Sequence, residues 1–432
     1  MSERRFDRSN ALYERALRTI PLASQTFSKS AMTLVRGASP LFLERGRGAA
    51  VWDVDGNRYV DYVLGLLPVV LGYGDPEVDA AIRAQLERGI SFSLATELEV
   101  ELAELLCRLI PCAEMVRFGK NGSDATSAAI RLARAVTGRE RVAHCGYHGW
   151  HDWYIGSTVR HLGVPRAVCE LSASFAFNDA EALAALLEAK PQEYAAVILE
   201  PAGSYDPKPG FLEAVRDLCD AHGAILVFDE IVTGFRIHLG GAQARYGVTP
   251  DLACFGKAMG NGMPIAAIVG RRQVMRAMDE IFFSGTFGGE ALSLAASLAT
   301  VRKLEALDGP ARIAGLGGRL ALGLRAAVAQ AGLGTRYKVG GPDWRPVVSP
   351  LSAGPDGIIA TSLFRQEMVA EGLLLLGGVN LCLAHGEAGV LDETLAAARR
   401  AFDRIAAAYA SNDPAACLRG QPVQPVFQVR PQ

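Results

Sequence analysis

The stretch AILVFDEIVTGFRIHLGGAQARYGVTPDLACFGK, residues 224–257, contains two short apolar runs with a glycine-rich segment between them. Short apolar runs bounded by turn-forming residues are typical of buried β-strands. Asp229 directly follows the first run, and Lys257 lies two residues beyond the second, after Gly256. In open α/β sheets, ligands bind beyond the carboxyl ends of the strands. We therefore expect both side chains at a functional edge of a sheet.

The same pattern extends over residues 115–269, where short apolar runs alternate with segments rich in alanine and leucine. Such alternation is typical of βαβ units, so it predicts an α/β fold with a mostly parallel central sheet flanked by helices. The expected strands are Met115–Phe118, Arg141–His144, Ala196–Leu199, Ala224–Phe228, Leu252–Phe255 and Ile265–Val269. The expected helices include Asp124–Val136, Asp179–Glu188 and Leu212–His222.

The two ends of the chain show a different pattern. Ala49–Asp61 is expected to form a hairpin around an Asp-Gly turn. Beyond Pro310 the expected elements are helices Ala311–Ala331 and Thr361–Glu371, strand Leu373–Leu376 and helix Leu391–Tyr409. We predict a large domain at residues 61–305, a smaller α+β domain at residues 306–432, and an N-terminal segment, residues 1–60, that joins the small domain.

The composition disfavours several classes of protein. Of the 432 residues, 50% are hydrophobic and 21% are charged, which is typical of a globular chain and not of a disordered one. The 44 basic and 46 acidic residues give a net charge of −2, so a nucleic-acid-binding surface is not expected. The polar N-terminus and the short apolar stretch Tyr62–Tyr73 indicate neither an export signal nor a membrane span. We expect a cytoplasmic protein without a membrane partner.

Cysteine and histidine patterns do not favour a metal site. The eight cysteines are scattered and none forms a C-x-x-C pair, so we expect reduced thiols. His148 and His151 have H-x-x-H spacing, but the sequence identifies no third ligand beside them. We therefore predict no metal site, and we interpret His148 as a residue that supports the functional edge of the sheet from its second layer of contacts.

A turn with the sequence Gly-Lys-Asn-Gly-Ser, residues 119–123, follows the first expected strand of the sheet and opens a helix. Backbone N–H groups at the positive end of a helix bind anions, so Gly122 and Ser123 are candidates for a phosphate site. An ordinary helix cap is the alternative. The spacing differs from that of a Walker A loop.

Lys257 follows an apolar strand and precedes a glycine-rich loop. Burial lowers the pKa of a lysine, so that the amine can attack a carbonyl group, whereas a solvated or ion-paired lysine is the alternative. Schiff-base chemistry on an aldehyde cofactor needs this amine, a carboxylate that keeps a pyridine nitrogen protonated, and a phosphate site. Lys257, Asp229 and the Gly122–Ser123 turn supply these three features. Tyr147 adds a flat ring suited to stacking on a planar cofactor.

Six segments, taken together and in this order, carry a family resemblance. They are NGSDATSAAIRLARAVTG (121–138), GYHGWHD (146–152), LEPAG (199–203), LVFDEIVTGFR (226–236), PDLACFGKAMGNGMPIAAIVG (250–270) and SGTFGGEALS (284–293). The chain resembles the class III aminotransferases, which are pyridoxal 5'-phosphate enzymes of fold type I, and within them the glutamate-1-semialdehyde 2,1-aminomutase branch. The resemblance runs from about Leu41 to Thr300 and continues more weakly to the C-terminus.

The resemblance implies a role for each matching position. Lys257 would form the Schiff base with the cofactor and then carry a proton between the substrate α-carbon and the cofactor C4′. Asp229 would pair with the pyridinium nitrogen, and Glu230 would orient the ring. Tyr147 and Ile231 would pack on opposite ring faces. The full set of cofactor-binding candidates is Gly122, Ser123, Tyr147, His148, Glu200, Asp229, Glu230, Ile231, Lys257 and Thr286.

The resemblance also implies an assembly and a reaction. Thr286 would reach the phosphate of the neighbouring subunit, which implies a homodimer with active sites at the subunit interface. The implied reaction moves an amino group between a small-molecule amine and a small-molecule carbonyl compound in two half-reactions of a ping-pong mechanism.

Two departures from the family pattern bear on reaction and substrate. The segment GGVNLCLAH, residues 377–385, lacks the glutamate of the aminomutase branch, which favours an intermolecular aminotransferase over an aminomutase. No arginine stands between Leu373 and Val390 to bind a substrate carboxylate, which leaves Arg236 and Lys29 as candidates. An ordinary ion-paired role is the alternative for both residues.

Other functions stay open as alternatives. A racemase or epimerase on the same fold would leave the amino group in place. The joint presence of Lys257, Asp229 and Tyr147 disfavours a non-catalytic binding protein. The lack of a strand-anchored G-x-G-x-x-G motif disfavours a nicotinamide-dependent oxidoreductase.

Overall fold

The computed structural model describes residues 4–411 and 413–424. The chain divides into two compact units. The unit from Pro76 to Ala311 is called the central unit here, and the described residues up to Asp75 and from Arg312 onward form the terminal unit. The sequence analysis places its boundaries after residues 60 and 305, and that assignment of segments stays a prediction.

The strands and helices are as follows. The β-strands in chain order are β1 (Leu43–Arg47), β2 (Ala50–Asp53), β3 (Arg58–Asp61), β4 (Met115–Gly119), β5 (Arg141–Cys145), β6 (Ser172–Ser174), β7 (Tyr194–Leu199), β8 (Ile225–Asp229), β9 (Leu252–Phe255), β10 (Ala266–Gly270), β11 (Tyr337–Gly340), β12 (Val347–Pro350) and β13 (Leu373–Leu374). The α-helices are α1 (Asp7–Ala16), α2 (Pro76–Arg88), α3 (Glu97–Leu109), α4 (Gly122–Thr137), α5 (Asp152–Ile155), α6 (Arg166–Cys169), α7 (Ala180–Ala189), α8 (Phe211–His222), α9 (Gly241–Tyr246), α10 (Arg272–Met275), α11 (Ala291–Ala306), α12 (Gly309–Gln330), α13 (Gly354–Ala370) and α14 (Val390–Ala410).

The central unit is built on a seven-stranded sheet in the order β4-β10-β9-β8-β7-β5-β6. Neighbouring strands from β9 to β6 pair in parallel, and β10 runs antiparallel to both of its neighbours, β9 and β4. Every residue of β7 and β10 is buried, which is typical of strands covered by helices on both faces of a sheet. The prediction of an α/β fold with a mostly parallel central sheet is confirmed.

The core of the central unit forms where α4 meets this sheet. Ala129, Leu132 and Ala133 of α4 belong to the same buried cluster as Ile198 of β7 and Val227 of β8. Small alanine side chains let the helix backbone approach the sheet closely. Within the described part of the chain, no helix is both long enough and apolar enough to cross a membrane.

The terminal unit contains a four-stranded sheet in the order β1-β2-β3-β13. The hairpin predicted at Ala49–Asp61 is confirmed, because β2 and β3 pair antiparallel with Ala50 opposite Val60. Asp53 stabilises the hairpin turn by accepting the backbone N–H of Asn57 at 2.8 Å and the Tyr59 hydroxyl at 2.9 Å.

Some element ends differ from the sequence-based expectation. Helix α13 begins at Gly354 and not at Thr361, since Pro355 suits the first turn of a helix, where no N–H donor is needed. The expected strand Leu373–Leu376 pairs only over its first two residues, which lie parallel to β3. Strand β6 was not expected, because its sequence Ser-Ala-Ser lacks an apolar run.

Candidate active site

The carboxyl ends of β4, β5, β7, β8 and β9 lie at one edge of the central sheet, because these strands run in the same direction. Parallel sheets bind ligands at this edge. The sequence-predicted residues at or just after these strand ends are Gly122, Ser123, Tyr147, His148, Glu200, Asp229, Glu230, Ile231 and Lys257.

The turn at residues 119–123 presents the start of α4 at this edge. The Asp124 side chain accepts the backbone N–H groups of Lys120 at 3.1 Å and Asn121 at 2.8 Å. Among the described residues, neither the Gly122 amide nor the Ser123 amide donates a hydrogen bond. Because α4 is 16 residues long, its first amides combine free donors with the positive end of a full helix dipole.

The loop after β5 packs against this turn so closely that it needs glycine. A Cβ atom at Gly149 would lie 2.3 Å from Ser123 Oγ, and one at Gly146 would lie 2.6 Å from Glu200 Oε2. Both glycines also adopt positive φ, at 105° and 111°. The Trp150 backbone N–H then donates to Ser123 Oγ at 3.3 Å. The loop and the turn are thereby held together.

Asp229 ends β8 as a buried carboxylate that is 3% exposed. Its Oδ1 accepts the backbone N–H of Ile231 at 3.1 Å, and its Oδ2 lies 2.8 Å from Nδ1 of the buried His148. Because an ionised carboxylate only accepts hydrogen bonds, Nδ1 of His148 is the donor. The carboxylate keeps lone pairs for a further donor, such as a protonated pyridine nitrogen.

Lys257 begins a short 3₁₀ turn directly beyond β9. Its φ of 39° lies in the left-handed region, which strains a residue with a side chain, and such strain concentrates at functional sites. Strands β8 and β9 are neighbours, with Asp229 opposite Cys254. The amine and the carboxylate are therefore carried by adjacent strand ends.

Glu200 follows β7 and anchors the loop that carries Tyr147. Its Oε2 accepts the Tyr147 backbone N–H at 2.9 Å. Burial, followed by the negative charge of Asp229, raises the pKa of the Glu200 carboxyl, while His148 and Lys257 act to lower this pKa. The carboxyl of Glu200 therefore interacts electrostatically with Asp229, His148 and Lys257, and these four residues are called the charged cluster.

Tyr147 and Ile231 differ in exposure but belong to the same edge. The Tyr147 ring is 51% exposed, whereas Ile231 is buried. A Cβ atom at Gly122 would lie 3.2 Å from Ile231 Cδ1, and one at Gly256 would lie 3.1 Å from it. Ile231 thus lies between the 119–123 turn and the residue before Lys257. Its packing on a ligand ring stays a prediction, as does that of Tyr147.

The side chain of Glu230 is held by three hydrogen bonds. Its Oε2 accepts the backbone N–H of Ala242 at 2.7 Å and the Thr233 hydroxyl, and its Oε1 accepts the backbone N–H of Gln243 at 3.1 Å. Glu230 is fully buried, and Ala242 and Gln243 belong to the first turn of α9. Glu230 therefore caps α9, and its role in orienting the cofactor stays a prediction.

Arg236, one of the two candidates for binding a substrate carboxylate, has the environment of a structural residue. It is completely buried, and its Nη1 donates to the Val232 carbonyl oxygen at 2.9 Å. A residue enclosed in this way does not meet a substrate carboxylate arriving from solvent. Thr286, in contrast, is exposed in the segment before α11, and its contact with a second subunit stays a prediction.

His148 and His151 serve different partners. His148 contacts Asp229, whereas His151 Nδ1 lies 2.6 Å from Ser127 Oγ on α4. Trp153 Nε1 donates to the same hydroxyl at 3.0 Å. The interpretation of His148 as a supporting residue agrees with these contacts.

The sequence analysis missed His144, which lies on β5 beneath His148. It is fully buried, and its ring stands edge-on to those of His148 at 6.2 Å and Tyr154 at 5.3 Å. Neither of its ring nitrogens has a hydrogen-bond partner among the described residues. Burial, followed by the charge of His148, lowers the pKa of His144 to about 3. The signal in the sequence was a histidine inside a buried strand.

His144 is expected to make the fold acid-sensitive. The folded protein keeps His144 neutral, while the unfolded chain binds a proton below pH 6.5, so its contribution to stability is lost as pH falls from 6.5 toward 3. His144→Phe should therefore flatten the pH dependence of the free energy of unfolding by up to about 1.4 kcal/mol per pH unit in this range. Denaturant titrations of wild type and variant would measure it, with the half-buried His161→Gln as control. Parallel pH profiles for wild type and His144→Phe would contradict the expectation.

The residues at this edge fit pyridoxal 5'-phosphate. Free amides at a helix start suit a phosphate, a lysine amine suits an aldehyde, and a buried carboxylate held by a histidine suits a pyridine nitrogen. Gly122, Ser123, Lys257 and Asp229 are the residues that would hold the group.

Comparisons with known proteins agree with this chemistry. The family model described as aminotransferase class III matches residues 33–332. A glutamate-1-semialdehyde 2,1-aminomutase of Roseiflexus castenholzii is 41% identical over 398 residues, which cover 85% of this chain and 91% of that protein. A 3-aminobutyryl-CoA aminotransferase of Cloacimonas acidaminovorans is 42% identical over 306 residues, which cover 69% of this chain and 73% of that protein.

A solved structure extends the comparison to the fold. The FumI protein of Sphingopyxis sp. MTA144, solved in its PLP internal aldimine form, is 30% identical and superposes with a TM-score of 0.88. The superposition covers 96% of this chain and 99% of that one. Fold type I and the pyridoxal 5'-phosphate cofactor follow from these matches and the donor set above. The chain belongs to the class III aminotransferase family of pyridoxal-phosphate enzymes.

Proposed function

We propose that the protein is an aminotransferase that moves an amino group from a small-molecule donor to a separate small-molecule carbonyl acceptor. The observation that carries the proposal is the placement of Lys257 and Asp229 at the ends of adjacent strands, beside the free amides that start α4. The missing glutamate in residues 377–385 favours separate donor and acceptor molecules. An aminomutase is the second candidate, because relatives with that name are about as similar as the named aminotransferase.

Each residue has a defined task in this proposal. When bound, the cofactor supplies an electron sink for the bonds at the substrate α-carbon. Asp229, held by His148, keeps the pyridine nitrogen protonated, and Gly122 and Ser123 bind the phosphate. Lys257 would hold the cofactor covalently, and its amine would serve as the base and acid that moves the α-proton.

We also infer a homodimer in which Thr286 contributes to the neighbouring site. Two segments of the central unit expose large apolar side chains, and single exposed residues are common whereas grouped ones mark interfaces. The segments meet where the Ala291 backbone N–H donates to the Ile90 carbonyl oxygen at 2.9 Å. The exposed side chains are Leu86, Ile90, Phe92, Leu94, Val100, Phe282 and Phe287. A second copy of the chain is the partner that we propose for this surface.

The donor half-reaction tests the function. Excess L-glutamate added to the holoenzyme should release 2-oxoglutarate and leave the cofactor in its amino form, seen as loss of visible absorption. The same protein stripped of cofactor is the control. If no amino acid in a donor panel gives a keto acid, while a single substrate is isomerised without any acceptor, the aminomutase assignment replaces this one.

A further inference from the structure

Lys120 and Glu290 form an ion pair that joins two parts of the site. Lys120 Nζ lies 2.9 Å from Glu290 Oε2 and 3.1 Å from Ser293 Oγ. The two charged side chains are only 18% and 11% exposed, so solvent screens their attraction less than at an open surface. Lys120 belongs to the 119–123 turn, immediately before Asn121 and Gly122.

Glu290 is the last residue of the segment that carries Thr286. This segment, residues 282–290, is called the arm here. Glu290 caps the start of α11 by accepting the backbone N–H groups of Leu292 at 2.7 Å and Ser293 at 3.3 Å. Its carboxylate therefore bonds the turn and α11 at the same time, and the position of the arm depends on that of the turn.

The other end of the arm is also fixed to β4 and α4. Arg131 Nη1 of α4 donates to the Phe282 carbonyl oxygen at 2.8 Å, and Arg117 Nη2 of β4 donates to the Phe283 carbonyl oxygen at 3.1 Å. Gly288 packs on β4 so closely that a Cβ atom there would lie 3.2 Å from the Phe118 carbonyl oxygen. Thr286 and Phe287 remain exposed between these fixed ends.

We propose that the Lys120–Glu290 pair couples the two phosphate sites of the dimer. The pair ties the turn that binds the phosphate of one subunit to the arm that reaches the phosphate of the other. This inference rests on the proposed function, in which Gly122, Ser123 and the neighbouring Thr286 hold one phosphate. Because one ion pair holds both segments, phosphate binding at the turn of one subunit should stabilise the position of its arm, so that the second site binds cofactor more tightly. By linkage, the coupling is the same in both directions.

Cofactor titration of the apoenzyme tests the coupling. The ligands are pyridoxal 5'-phosphate and pyridoxal, which lacks the phosphate. Lys120→Met should weaken binding of the phosphate form about tenfold, which corresponds to about 1.4 kcal/mol, and should make it non-cooperative. Pyridoxal binding should not change. A merely structural role of Lys120 would weaken both ligands alike. Lys120→Arg keeps the charge and should restore cooperative binding.

Lys303→Met provides the matched control. Lys303 lies on α11, is 16% exposed, and pairs with Glu77 at 2.7 Å, but it is not part of the turn. Its loss should change stability without changing cooperativity. Cooperative binding that survives Lys120→Met, or a wild type that fills its sites independently, overturns the proposal.

Thr286→Val separates this proposal from the one it rests on. If Thr286→Val binds the phosphate form as tightly as wild type, or the protein is monomeric by light scattering, the dimeric site itself is wrong. If Thr286→Val weakens binding but Lys120→Met does not, the dimeric site stands and the coupling through Lys120 fails.

Discussion

Lys257→Ala is expected to abolish covalent cofactor binding and to lower turnover on the order of 10⁴-fold, because one amine supplies both the attachment and the proton transfer. Pyridoxal phosphate should still bind noncovalently, since Gly122 and Ser123 are untouched. Borohydride reduction followed by peptide mass spectrometry is the direct measurement. In wild type the reduced cofactor should stay on the peptide that contains Lys257, and in the variant it should be found on no peptide.

The exposed Lys208 is the control for this experiment. Lys208 lies in the loop before α8. Lys208→Ala should keep both the labelled Lys257 peptide and the wild-type turnover. Reduced cofactor on another lysine of wild type, or unchanged turnover in Lys257→Ala, would show that a different amine holds the cofactor.

The strand ends of the site could be predicted because buried parallel strands are continuous apolar runs, and the residues that follow them stand at one edge of the sheet. Asp229 is the last residue of β8 and Lys257 lies two residues beyond β9, so the same logic indicates that both stand at this edge. The 119–123 turn could be predicted for the same reason, because it follows the end of β4. The part of the candidate site that could be predicted therefore consists of residues at or next to the ends of strands.

What could not be predicted are contacts between residues far apart in the chain. Lys120 and Glu290 are 170 residues apart, and no periodicity in either segment indicates that they meet. Glu230 follows Asp229 directly, but its direction is set by the start of α9, which supplies its hydrogen-bond donors. His144 lies in a predicted strand, yet its place beneath His148 depends on how the loop after β5 folds back.

Asp229→Asn is expected to lower turnover about 10³-fold while leaving the fold intact. An amide cannot hold the pyridine nitrogen protonated, so the ring loses its capacity as an electron sink. The Ile231 N–H and the His148 ring contact different oxygens of Asp229, so the amide oxygen can keep the Ile231 N–H while the amide NH2 faces His148 Nδ1. His148 can accept that hydrogen bond in its other tautomer, so stability should change little. Cofactor binding should persist, because the phosphate site at the start of α4 is unchanged.

The buried Asp251 is the matched control for Asp229. It directly precedes β9 and therefore lies at the opposite edge of the same sheet. It is 6% exposed and pairs with Arg216 and Arg271, each at 2.9 Å. Asp251→Asn should cost about 2 kcal/mol of unfolding free energy, because it removes a charged acceptor from the Arg216 guanidinium and the Leu226 backbone N–H. The folded variant should nevertheless turn over normally. In denaturant titration, Asp251→Asn should therefore be destabilised and Asp229→Asn should not. In the rate of α-proton exchange from a deuterated donor, Asp229→Asn should be slow and Asp251→Asn should be normal. Near-normal exchange in Asp229→Asn would mean that another group protonates the ring, and the charged cluster at the carboxyl edge would need a different interpretation.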